Sequence, residues 1–172
     1  MRNFRAIVLA AVCAALLFPA AAAAKSAGDT AVGEGVRSAS CVDGCPEISF
    51  SFSASSGPSG ESPSGTFWAD IPGSATFTAD VTCLDVSGSQ AIIAGVMTGG
   101  SGDEVEPGNP FVVVVKDGGK STKGVAKDTM SRLGWGVLDV TVEEACADPA
   151  AIIGPDMFRL TSGDIAVTDV QP

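Results

Sequence analysis

From Ser74 to Gly99, apolar and polar positions alternate and then give way to turn residues. Ala75, Phe77, Ala79, Val81 and Cys83 share one parity; Ser74, Thr76, Thr78, Asp80 and Thr82 share the other. That is the period-2 pattern of a half-buried strand. Turn residues fill Val86 to Gln90 and an apolar run from Ala91 to Met97 follows. The stretch therefore predicts a β-hairpin with Cys83 on its inward face. Ile48, Phe50, Phe52 and Ala54 alternate with Ser49, Ser51, Ser53 and Ser55 in the same way, giving one aromatic and one hydroxyl face. Thr66 to Ile71 predicts a short strand with Phe67 and Trp68 on opposite faces, closed by Pro72-Gly73. Phe111 to Val115 is uninterrupted apolar sequence, the mark of a strand covered on both faces or lying at a barrel seam.

Later segments read less sharply. Lys120 to Arg132 predicts a loop, Trp135 to Val142 a strand with Cys146 just beyond it, and Asp148 to Asp156 a connection broken by Pro149 and Pro155. Phe158 to Leu160 and Ile165 to Val170 predict a last bent strand or hairpin interrupted at Ser162-Gly163-Asp164. No amphipathic helix of ordinary length and no βαβ alternation occurs, so the chain predicts an all-β, antiparallel meander. About eight strands joined to their neighbours suggest a closed or nearly closed eight-stranded barrel, which protects sheet edges. A β-sandwich is the alternative; against its immunoglobulin form stand the lack of tyrosine and of a Cys…Trp…Cys spacing.

Residues 1–24 read as a signal peptide. Arg2 and Arg5 precede an apolar run from Ala6 to Phe18, and Ala22-Ala23-Ala24 supplies the small residues of a cleavage site. The run is short for a membrane span, which needs roughly 20 residues. Residues 25–40, rich in Gly, Ala and Ser, predict a flexible segment, and residues 41–172 the all-β domain. Gly33-Glu34-Gly35 lacks the strand–turn–helix setting of a dinucleotide fingerprint. The expected destination is extracellular or cell-envelope, with no membrane insertion of the mature chain.

Beyond Ala24 the chain carries 20 acidic and 8 basic residues, a net charge of −12. Such a surface repels nucleic acid, whose phosphates need a cationic face. Partners left open are a protein, a glycan or a small apolar ligand. Cys41, Cys45, Cys83 and Cys146 are an even set suited to an oxidising compartment. Of the three possible pairings, Cys41–Cys45 would close a tight Asp-Gly turn and Cys83–Cys146 would tie the central hairpin to a late strand. A four-cysteine zinc site is the rival, although C-x3-C without a second close pair matches it weakly.

Val81-Thr82-Cys83-Leu84-Asp85-Val86, a glycine-containing turn and Ala91-Ile92-Ile93-Ala94-Gly95 resemble the VTCLxVxGxxA core of a family of small secreted bacterial proteins with no assigned activity. Similarity extends to Val113–Gly119, Asp128–Ser131, Cys146 and Ser162–Val167, over roughly Ile48 to Gln171. Ser89 departs from the family's usual Asn, and Gly119-Lys120 from its usual post-strand turn. The resemblance implies that Cys83 and Cys146 belong to the shared core, supporting their pairing, while Cys41 and Cys45 are particular to this chain.

Catalytic chemistry is poorly supplied. The chain has no histidine, which excludes Ser-His-Asp and Cys-His mechanisms and imidazole-ligated metals. A carboxylate pair of the kind glycosidases use is the remaining catalytic possibility, and the expectation is a non-catalytic protein. Calcium is the candidate cofactor, with Asp103, Glu104, Glu106 and the Asn109 carbonyl as its oxygens. Trp68 and Trp135 are candidate ligand-facing aromatics if a barrel mouth is open. Asp128 and Ser131 read as a local turn in which the carboxylate accepts backbone N–H groups. The function expected is an exported binding or structural module. A carrier enclosing a small apolar ligand and a carboxylate-based glycan hydrolase are the alternatives.

Overall fold

The structure is a computed structural model that describes residues 28–38, 46–119 and 127–170. The expected signal peptide, residues 1–24, and the expected Cys41–Cys45 pairing lie outside the described residues. Nine strands and two short helices follow in order: β1 (Thr30–Ser38), β2 (Glu47–Ser55), β3 (Ser64–Ile71), β4 (Ala75–Ser87), β5 (Gln90–Gly102), β6 (Pro110–Lys116), β7 (Thr129–Ser131), β8 (Gly134–Trp135), α1 (Val142–Ala147), α2 (Pro149–Ile153) and β9 (Met157–Thr168). Each of β1 to β6 pairs antiparallel with the next, β7 joins β6 to β9, and β9 returns to β1. The ring is a closed eight-stranded antiparallel barrel; β8 pairs with β6 alone, outside it. Closure leaves no unpaired sheet edge between β1 and the last strand.

The interior is built by the predicted alternation. Phe50, Phe52, Phe67, Phe77 and Phe111 point inward and are almost completely buried. Their rings form a continuous cluster, with Phe67 4.8 Å from Phe111 and 6.0 Å from Phe77, centroid to centroid, and Phe52 6.3 Å from Phe67. Trp135 extends it, stacked 6.5 Å from Phe77. Aliphatic residues, among them Leu84, Ile93, Val113, Val115, Met130 and Ile165, complete the core.

Residues 30–38, expected as part of a flexible segment, are instead β1, paired along its whole length with β2. Its inward positions include Ala31, Gly33 and Gly35, and a Cβ on Gly33 would stand 2.8 Å from the tip of the Phe52 ring. Small residues in β1 make room for large ones in β2.

Cys83 does not face inward. A β-bulge between Val81 and Cys83 shifts the parity, so that Val81 and Leu84 are buried inside while Cys83 points out. There it is bonded to Cys146 across a Cα–Cα distance of 6.4 Å. Cys146 belongs to α1, which with α2 lies against the outside of the barrel where Trp135 to Val142 and Asp148 to Asp156 predicted a strand and a connection. The strand there is reduced to Gly134–Trp135. Thr141 and Glu144 form a reciprocal capping box at the start of α1, and Asp148 caps α2 ahead of Pro149. Ala145, Cys146 and Ile153 pack on Ala94, Val112 and Val114 in a second, external core. This explains the unbroken run in β6: Phe111, Val113 and Val115 fill the barrel, and Val112 and Val114 lie under the helices.

Candidate functional site

The seam between β6 and β9 is where the barrel is least regular, because β7 spans only three residues. Polar side chains replace the missing ladder. The buried Asp128 carboxylate accepts the Gly118 N–H at 2.9 Å through one oxygen and the Ile165 N–H at 2.7 Å through the other. Asp117 accepts the Gly119 N–H at 2.6 Å and reaches toward the Val167 N–H at 3.5 Å. The Ser131 hydroxyl accepts the buried Val114 N–H at 2.9 Å and donates to the Arg132 carbonyl at 2.6 Å. Nearby, Asp29 accepts the Val170 N–H at 2.8 Å. Asp128 and Ser131 thus serve the structure, but not as the local turn expected of their spacing: the N–H groups they accept lie 10, 37 and 17 positions away.

The candidate ligand residues are not brought together. Trp68 lies on the outer wall between Ser51 and Thr78 of the neighbouring strands, on the face opposite the inward Phe67. Trp135 is partly buried against the core and borders an external depression of about 360 Å³ shared with Glu104, Leu138 and Ile152. The Asn109 carbonyl, a proposed calcium ligand, accepts the Met97 N–H at 2.8 Å, and the Asn109 amide donates to the Glu104 carbonyl at 3.0 Å. Among the described residues no group of three acidic or cysteine side chains is arranged to hold a metal ion, so Asp103, Glu104 and Glu106 do not converge on a cation.

A feature that sequence reasoning missed lies on the outer wall beside the seam. Gln90, Lys116, Thr129 and Arg159 are directly opposite one another in the successive strands β5, β6, β7 and β9. With Lys127 they line an open depression of about 640 Å³ that contains no acidic side chain. Lys116, Lys127 and Arg159 are exposed. Among the described residues the one ion pair is Arg132–Asp156, at 3.5 Å, so none of these three cations is neutralised by a described carboxylate. Of the nearest acids in sequence, Asp117 and Asp128 are turned into the seam by the N–H groups they accept, and Asp156, three positions before Arg159, is paired with Arg132. The sequence signal was present as three scattered basic residues; strand register gathers them.

One further cation is placed differently. Arg37 points inward from β1 and is buried, its guanidinium 5.3 Å from the Phe158 ring centre. Its Nε has no hydrogen-bond partner. Burial, with a smaller contribution from the Arg132 charge, pulls its pKa down to about 10.

No family model, curated protein or solved structure matches this chain.

Proposed function

We propose that this protein is an exported, non-catalytic binding module that works through its outer wall. The observation that carries the reading is the filled interior: five inward phenylalanines and the aliphatic core occupy the space in which a carrier of the same architecture would hold its ligand. The side chains left to recognise a partner are those outside. The carboxylate-hydrolase alternative gains no support from the acids Asp117 and Asp128, whose oxygens are engaged by backbone N–H groups.

Export is supported by the leader-like residues 1–24 and by the Cys83–Cys146 bridge, since disulfides persist in oxidising compartments. Among the described residues no helix is long and apolar enough to cross a membrane. Resemblance to the family of small secreted bacterial proteins is consistent with the same reading.

Titration with the neutral fluorescent probe N-phenyl-1-naphthylamine tests it. The expected result is no saturable fluorescence increase with the oxidised wild-type protein. Saturable, equimolar binding that a fatty acid displaces would replace the module by the carrier. Producing the full chain in a bacterium and sequencing the N-terminus of the soluble envelope fraction tests export: a start within a few residues of Lys25 is expected, and retention of Met1 counts against it.

A further inference from the structure

We infer that the row Lys116–Thr129–Arg159 is a binding site for a carboxylate-bearing glycan. The inference rests on the surface-module reading and names its partner. Its first support is charge. In a chain whose segment beyond Ala24 carries −12, three exposed cations line one depression that has no acid in its wall and no described ion-pair partner. Unpaired positive charges grouped within an otherwise repelling surface select a compact anion that reaches them, and disfavour a long polyanion that must also pass the surrounding carboxylates.

Geometry narrows the class. Lys116 and Arg159 face each other across one intervening strand, about 10 Å apart at strand spacings of 4.7–4.9 Å. Between and beside them stand Thr129 and Gln90, neutral side chains that donate and accept hydrogen bonds. The ligand that matches is one with oxyanions spaced along a hydroxyl-rich body. Single-stranded nucleic acid asks for aromatic platforms, and the depression contains no aromatic side chain. An extended peptide gains affinity by adding to a sheet edge, yet here the backbone of the central strand is already laddered on both sides. Side-chain recognition remains, and a depression of about 640 Å³ lies within the roughly 300–1,000 Å³ range of small-ligand sites.

Calorimetric titration of the full oxidised protein with tri-galacturonate, with neutral maltotriose alongside, tests the inference. Saturable binding of the uronate, no binding of maltotriose, and loss of affinity with rising salt are expected. Lys116→Gln and Arg159→Gln should each weaken binding about tenfold, the loss of one charge-assisted hydrogen bond. Arg132→Gln, the same change in net charge at a residue outside this depression, should leave affinity unchanged. Both row residues are exposed, and an unaltered melting curve establishes that each variant is folded. No uronate binding at millimolar concentration, or equal affinity in all variants, overturns the site. Binding of an acidic peptide such as tri-glutamate in place of the uronate overturns the glycan assignment. A failure here, with the apolar probe still excluded, leaves the surface-module reading standing; saturable probe binding is what removes it.

Discussion

The carboxylate of Asp128 accepts the Ile165 N–H at 2.7 Å while its other oxygen holds the Gly118 N–H at 2.9 Å. One side chain thereby spans the gap between the end of β6 and the middle of β9, where the barrel has no complete strand. Its own carbonyl also accepts the Leu160 N–H. The last strand is therefore fastened by a residue 37 positions before the Ile165 N–H that it accepts.

Asp128→Ala leaves two backbone donors at the seam without their acceptor. The buried Ile165 N–H, left unsatisfied, costs about 1–3 kcal/mol, and the Gly118 N–H, in an exposed residue, adds less because water can replace its acceptor, so a destabilisation of about 2 kcal/mol is expected. Urea unfolding followed by tryptophan fluorescence should show a lower midpoint with little change in slope. A midpoint within error of wild type would mean that β9 is held by its β1 ladder alone.

Replacing both Cys83 and Cys146 by alanine should lower stability by about 4 kcal/mol on the loop-entropy relation for a sequence separation of 63. The barrel core does not include either sulfur, so the variant should keep its far-ultraviolet circular dichroism below its reduced melting temperature. Loss of the strand signal at 25 °C would show instead that the external helices are needed to close the ring.

Phe67 stands at the centre of the ring cluster, stacked with Phe52, Phe77 and Phe111. Truncation to alanine should cost about 3–5 kcal/mol, because the neighbouring rings relax only partly into the space. The Phe67→Ala variant should also acquire binding of the apolar probe that the wild type excludes. A loss below 1 kcal/mol would mean that the interior is loosely filled.

Arg37 contributes against stability at neutral pH. Its folded-state pKa lies near 10, below the ordinary arginine value of the unfolded chain, so the charge is retained in both states below pH 10 and the folded state bears the desolvation. Between about pH 10 and the ordinary arginine value the unfolded chain binds more protons than the folded one, and the residue's contribution to stability rises with pH. Arg37→Met keeps the length and removes the unpartnered Nε; a gain of about 1 kcal/mol at pH 7 is expected. A loss of stability in thermal melts would show that stacking on Phe158 outweighs the buried charge.

How far the chain could be read depended on side-chain bulk. Phe50, Phe52, Phe67 and Phe77 announce β2, β3 and β4 because large apolar residues recur at period 2. β1 gives no such signal, since its inward positions are Ala31, Gly33 and Gly35, small where they face the large rings of β2, followed by the charged Arg37. The helices α1 and α2 are too short for a 3.6-residue period to show. Their marks are local, a Thr141-x-x-Glu144 box and an Asp148-Pro149 cap.

By itself the amino-acid sequence determined the strand-rich class and the antiparallel meander, because alternation and turn residues act within a few neighbouring positions; it favoured the Cys83–Cys146 pair among three without fixing it. Tertiary structure decided the rest. A bulge turned Cys83 from the inner to the outer wall, closure brought β9 to β1, and register set Lys116, Thr129 and Arg159 side by side. Each of these depends on which residue of one strand meets which of another, and a one-residue shift between strands exchanges every inward side chain for an outward one.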